Sequence, residues 1–309
     1  MRHDAPLGIT PAPLEITPAP LEIAPATTAD VPEIGAYLAE RSDTCMLMCS
    51  NLREVGLAWS APGGAPLQAQ YVLARRGGTM IGIAGHAWNG NVLLQADAHA
   101  GELAVEAVRR SGRPVAGLLG QFDQVASARA ALGLGGTAAS LESYETLMSL
   151  ALDQLAIPPA LRSGAVTGRR AHATDRALLI PWRAAYLIET GQQGAGPAAT
   201  ERAAAATIDS GLVAQRVWVV EHDGAVVATC THNAVLPDSV QVGGVYTPPA
   251  LRGRGHARAA VATSLIDARA AGATRAILFT PRPDAIAAYR ALGFESIGRY
   301  ALVLFSASP

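Results

Sequence analysis

From Val240 the chain reads Val-Gln-Val-Gly-Gly-Val-Tyr, an apolar, β-branched run that predicts a strand and breaks at Pro248-Pro249. An Arg/Gly-rich loop follows, from Arg252 to Gly255. Ala257, Ala260, Val261, Ser264, Leu265 and Ala268 then recur at helical spacing, and Gly272 is a plausible terminator. Arg275 to Phe279 predicts a short buried strand. Asp284 is a suitable N-cap for a helix over Ala285 to Leu292, which Gly293 ends before Phe294. Tyr300 to Phe305 predicts a last strand that closes a sheet.

Similar patterns occur earlier in the chain. Ile23 to Asp30 opens one half, with a helix to Glu40; Arg170 to Asp175 opens another, with a helix to about Thr190. Strand-like runs follow at Tyr71 to Ala74 and Met80 to Ala84, and again at Val217 to Val220 and Val226 to Thr231. The second run of each pair follows a Gly-containing turn. Val125 to Leu132 with Gly133-Leu134 echoes Ile286 to Leu292 with Gly293-Phe294. The chain therefore reads as one fold written twice, with a linker near Leu155 to Pro159. The expected units are a Pro-rich leader over 1–22, a first domain over 23–156 and a second over 160–309. The leader repeats ITPAPLE from Ile9 and again from Ile16, and its prolines favour an extended segment.

Composition narrows the class. Half of the 309 residues are hydrophobic, so two cores are within reach. Aromatic residues make up 5%, so the core is expected to rest on small aliphatic contacts. The net charge of −1, with no basic block outside the Arg loop, gives no electrostatic case for nucleic acid. The three cysteines make no disulfide framework, and Cys45 and Cys49 read as small buried hydrophobes in a helix rather than a metal site. No apolar run is long enough for a membrane span and no signal peptide is legible, so a cytoplasmic protein is expected.

Strand, glycine loop and helix start is how a backbone cradles a phosphate: the helix N-terminus leaves N–H groups unpaired and partly positive. Arg252, Arg254 and Arg258 add charge suited to a pyrophosphate. A Walker loop is excluded because all 24 basic residues are Arg, and a GxGxxG fingerprint would need Gly at Arg258. The order Arg252-x-x-Gly255-x-Ala257 instead resembles the acyl-CoA loop of the GNAT superfamily of N-acyltransferases. Ala287 to Phe294, with Tyr289 ahead of Gly293-Phe294, resembles that family's last helix.

The resemblance implies an α/β fold of two GNAT-like domains, each a splayed, mostly antiparallel mixed sheet flanked by helices. It implies an N-acetyltransferase that moves an acetyl group from acetyl-CoA to a primary amine of a small molecule or peptide. Val245 and Thr247, with Tyr246 between them, would pair with the pantetheine arm. Gly253, Arg254, Gly255, His256 and Ala257, with Arg252, would hold the pyrophosphate. Tyr289 would protonate the leaving thiolate. Gly243 and Gly244 sit where a bulge would help the splay.

The base is less legible. The family's Glu on the strand before the loop falls at Gln241, which cannot act as one. His232, His222, Glu221 and Asp238 are alternatives, with His232 preferred for its pKa; a water chain is another. Trp182, Tyr186 and Glu189, beside the Gly191 to Pro197 lid, are expected to shape the acceptor pocket. In the first half, Asp97 and Glu102 flank Gly101 where the loop should be, and Arg129 stands at the Tyr289 position, so that half resembles a degenerate copy. Expected partners are the amine and a second copy in a homodimer, with no metal, nucleic acid or membrane. A non-catalytic acyl-CoA-binding sensor or assembly protein is the alternative.

Overall fold

Two runs of elements in the same order build the chain, whose computed structural model describes residues 19–305. The first run is β1 (Leu21–Pro25), α1 (Val31–Ala39), α2 (Ser42–Val55), β2 (Ala69–Arg76), β3 (Thr79–Ala87), β4 (Asn91–Ala96), α3 (Ala100–Ser111), β5 (Gly117–Gln121), α4 (Phe122–Ala131) and β6 (Ala139–Ala151). A short helix, α5 (Pro159–Arg162), leads to the second run. This is β7 (Thr167–Arg170), α6 (Arg176–Glu189), α7 (Pro197–Val213), β8 (Val217–His222), β9 (Ala225–Val235), β10 (Ser239–Tyr246), α8 (His256–Ala270), β11 (Arg275–Thr280), α9 (Pro283–Arg290) and β12 (Glu295–Phe305). Local chemistry repeats too. The N–H of Thr27 donates to Asp30 at 2.7 Å and that of His172 to Asp175 at 2.7 Å. Leu134 N–H donates to Arg129 O, as Phe294 N–H does to Tyr289 O.

All twelve strands form one mixed, mostly antiparallel sheet in the order β1-β2-β3-β4-β5-β12-β6-β11-β10-β9-β8-β7. The order is palindromic, with one exchange. The last strand of each run lies against the other run's sheet: β12 pairs with β5, and β6 with β11. The two long strands also pair with each other, from Glu295↔Ser149 to Phe305↔Ala139. A break near residue 156 in sequence is thus no break in the sheet. β12 also starts at Glu295, well before the expected Tyr300, because pairing with β6 organises the polar stretch Ser296 to Arg299. Asp284 lies inside α9 and ion-pairs with Arg282, which is the N-cap residue. β1 begins at Leu21, two residues inside the expected leader; residues 1–18, with most of the ITPAPLE repeats, lie outside those described.

Small side chains set the layer spacing. α8 buries Ala259, Ala260, Val261, Ala262 and Leu265 against β8 to β10, so the helix can sit close to the sheet. On the opposite face α6 and α7 cover β8 through Leu179, Ile208, Val217 and Val219. α2 reaches across from the first half, and its Met46 packs on Ala234 and Ile277 of the second. Arg275–Asp43 and Arg216–Glu54 ion pairs flank this contact. Cys45 is buried and Cys49 half-buried on the inner side of α2, their sulfurs 3.5 Å apart. No helix among the described residues is long and apolar enough to cross a membrane.

Candidate functional site

The parallel strands β10 and β11 pair only from Ser239↔Arg275 to Gln241↔Ile277. Beyond Gln241 they part. Two register shifts on the β9 side, either side of Gly243, bend β10 away. Gly244 adopts φ +55°, a left-handed conformation that a side chain would strain, and a Cβ there would also strike Thr231 Oγ1. The backbone of Val242 to Thr247 thus offers an edge free of ladder partners on the β11 side.

The loop after β10 turns at this open end. Gly255 is the N-cap of α8 with φ +83°, and a Cβ on it would stand 3.2 Å from an Arg258 nitrogen. Among the described residues, no backbone carbonyl or side chain takes the N–H groups from Gly253 to Arg258; the helix ladder begins with Ala259 donating to Gly255 O at 3.1 Å. Unpaired N–H groups converging at a helix start fit an anion with several oxygens. Arg254 makes no ion pair among the described residues and keeps its charge available to the loop. Arg252 does not: it donates to Thr247 O at 2.9 Å and clamps Glu189 through Nη2 at 2.7 and 2.8 Å. The pair corrects two expectations, since it takes Arg252 from the pyrophosphate and Glu189 from the acceptor pocket. His256 is buried with its ring 5.6 Å from that of His222, and burial lowers its pKa. Val245 is half-buried at the rim of the α8 core and Ala257 half-buried in the first turn. Tyr246 and Thr247 are buried, and Thr247 Oγ1 has no partner among the described residues.

Tyr289 sits between α9 and the sheet, its ring 6.0 Å from Phe294. Burial raises the pKa of its hydroxyl, and the Tyr186 hydroxyl, on the far side of the sheet, raises it further. A raised pKa keeps Tyr289 protonated, as an acid requires.

His232 is elsewhere. Its ring packs on Trp218 with centroids 4.2 Å apart and planes tilted by 41°, and Trp218 Nε1 donates to Asp267 Oδ2 at 2.8 Å. Asp267 is roughly 16 Å along α8 from its start, so His232 lies under the far end of the helix from the loop. Burial, then Arg170 and Arg216, pushes its imidazole down to about 3. The structure does not support it as the base. Of the other candidates, Glu221 is paired with Arg169 and His222 faces Asp223 and the surface. Gln241 is 1% exposed at the last rung of the ladder, on the face that α2 covers, with Nε2 unpartnered among the described residues.

Trp182 and Tyr186 line the cleft from α6, with the Trp182 ring 6.0 Å from Tyr246. Two charged residues that the sequence reading did not single out join them. Arg183 lies against the β10 bulge, with its guanidinium 4.7 Å from the Tyr186 ring. Glu145, on β6, stands just past the last β6–β11 rung, Thr146↔Thr280, opposite Tyr300. The helical spacing of Arg183 and Tyr186 carried a signal. Glu145 carried none, because its strand comes from the other half.

The corresponding cleft of the first half is closed. β4 and β5 also part after Leu93↔Leu119, but Gln124 Oε1 accepts the Ala96 N–H at 3.1 Å. Asp97 is clamped by Arg41 at 3.0 Å, and His99 pairs with Glu102 at 2.9 Å.

Residues 182–294 match the acetyltransferase (GNAT) family. No curated protein matches the chain by sequence. Among solved structures, a Drosophila protein superposes with TM-score 0.62 at 14% identity, covering 92% of this chain and 98% of its own. A GCN5-related N-acetyltransferase from Sphaerobacter thermophilus gives 0.56 at 17% identity, covering 92% and 94%. A tandem GNAT protein from the clavulanic acid biosynthesis pathway gives 0.53 at 16%, covering 94% and 99%. At such identities these likenesses speak for the fold, which runs through both halves. The family match, the parted strands and the loop at their open end agree over the second half: residues 182–294 are similar to the acetyltransferase (GNAT) family, and the fold seen in tandem GNAT structures runs through both halves.

Proposed function

We propose that the second half transfers an acetyl group from acetyl-CoA to a primary amine of a small molecule or peptide. The supporting observation is that the free edge of β10 beyond Gln241 and the free N–H groups from Gly253 to Arg258 lie at one end of one cleft. The edge suits an extended pantetheine arm, held by Val245, Tyr246 and Thr247. The loop suits the pyrophosphate, held by Gly253, Arg254, Gly255, His256 and Ala257. Acetyl-CoA, when bound, supplies an activated acyl group on sulfur. Tyr289 then holds the proton that the departing thiolate takes. Trp182 and Tyr186 wall the acceptor side, with Gln241 at its floor.

Thiol release from acetyl-CoA with a panel of amines tests this reading, with binding followed by calorimetry. Gly255→Glu should abolish binding, because it puts a side chain on a left-handed residue and a negative charge into the cradle. Unchanged affinity in folded Gly255→Glu would remove the assignment. Binding without turnover on any amine would favour the second reading, an acyl-CoA sensor, for which the replacement of a carboxylate by Gln241 speaks.

A further inference from the structure

We propose that the acceptor carries a carboxylate as well as its amine, as an α-amino acid does, with Arg183 reading the carboxylate and Glu145 of the first half holding the ammonium. This rests on the acetyltransferase reading above and names the acceptor of that same cleft.

Arg183 and Glu145 reach the open end of the cleft from different halves. Arg183 comes from α6. Its Nη1 would stand 3.1 Å from a Cβ placed on Gly244, so the guanidinium lies along the bulge that opens the cleft. Its Nε is buried with no partner among the described residues, and only burial and Tyr186 act on its charge. Glu145 is 8% exposed and accepts one hydrogen bond, from Ser143 Oγ at 2.9 Å. No cation acts on it, and burial alone raises its pKa. It shares a strand face with Leu147, which is paired opposite Phe279; this is the α2 and α6 face, to which Ile277 and Tyr186 also belong. Tyr186 links the two: it stacks on Arg183 and feels the charge of Glu145.

A buried charge without a counter-charge is costly, so two of opposite sign that both act on one tyrosine would ordinarily pair. Here neither is the other's partner. A ligand with both signs relieves both costs at once. A simple amine satisfies Glu145 alone and leaves Arg183 unpaired. A guanidinium fork also matches a carboxylate in shape.

Matched acceptors test this: glycine, alanine, glutamate and phenylalanine, each beside its own amide, with kcat/KM from thiol release. Acids should exceed their amides by about 10²-fold, the scale of loss when one buried polar group goes unsatisfied. Arg183→Gln should bring that ratio close to one while sparing the amides. Arg183→Lys, which keeps charge without the fork, should lose most of the preference. Glu145→Gln should lower kcat/KM for acids and amides alike and leave the ratio standing. Arg183→Gln should unfold at the same temperature as wild type or higher, because it removes an unpaired buried charge.

Equal turnover of acids and amides by wild type overturns the proposal. So does an Arg183→Gln variant that loses both equally, which would assign the guanidinium to the acyl donor. If wild type binds acetyl-CoA but turns nothing over, the enzyme reading fails. Calorimetry of the same acceptors into the coenzyme A complex then decides: heat from acids and not amides keeps the proposal, and heat from neither ends it.

Discussion

Gln124 Oε1 accepts the N–H of Ala96 at 3.1 Å, and this one bond closes in the first half the strand edge that the second half leaves open. In the second half β10 parts from β11 beyond Gln241, and among the described residues β11 offers that stretch no ladder partner. The two runs of elements each contain a pair of parallel strands that part, and in the first run a side chain reaches the parted edge.

A single cofactor per chain follows. Asp97 and Glu102 add negative charge to the first loop, and Arg41 and His99 are taken up in pairing with them. Calorimetric titration of acetyl-CoA into the full chain should give a stoichiometry near one. A value near two would mean that Gln124 swings out and that the first half still binds.

Tyr289→Phe should lower turnover by roughly 10²-fold, the low end for a general acid, and leave cofactor affinity nearly unchanged. Removing the oxygen spares the ring's contact with Phe294, so unfolding temperature should shift little. If turnover is untouched, Tyr289 is a packing residue and the thiolate is protonated by water.

The loop proposed to hold acyl-CoA stood out in the sequence because its features are local. Arg252 to Ala257 lie in one turn, and glycine, strand end and helix start are written side by side. The echo of Gly133 in Gly293 was legible for the same reason, and the structure repeats the hydrogen bond around each. What escaped depends on partners far apart in sequence. Glu295 to Arg299 become strand only because β6 lies beside them. Arg252 reads as a phosphate ligand until Glu189, on another helix, is seen to hold it. His232 reads as a base until Trp218 and the far end of α8 enclose it. Glu145 reads as an ordinary polar position until strand exchange carries it into the other half's cleft.

Two buried histidines should make stability fall in mild acid. Burial, and then Arg113, pushes His86 from 6.5 to about 4; burial, Arg170 and Arg216 push His232 from 6.5 to about 3. Both folded-state values lie below the unfolded one, so between them the unfolded chain binds more protons. The stabilisation is whole above pH 6.5 and drains as pH falls toward 4 for His86 and 3 for His232. The shifts correspond to about 3 kcal/mol for His86 and about 5 kcal/mol for His232 at neutral pH. Urea unfolding from pH 7.5 to 4 should show the decline, and a His86→Gln, His232→Gln double variant should flatten it. An unchanged slope in that variant would place the acid sensitivity in other groups.

The second half should not stand alone. Cut out as residues 160–309, it would keep the loop, the cleft and Tyr289 but lose β6, which borders β11 from Thr146 to Ala151. β11 would become a bare edge with an apolar sequence, a template for association. β12 would lose both neighbours, β5 and β6, and have nowhere to lie. Ile277 and Ala234 would lose the cover of Met46 and face water. The fragment should therefore aggregate or bind acetyl-CoA far more weakly than the full chain. Adding residues 19–158 as a separate polypeptide during refolding should restore binding, because it returns β6 and α2 and gives β12 its place. Light scattering and calorimetry on the fragment, alone and with its complement, make the comparison. A monodisperse fragment with full affinity would show that β12 can fold back into its own sheet beside β11 and that the exchange is dispensable.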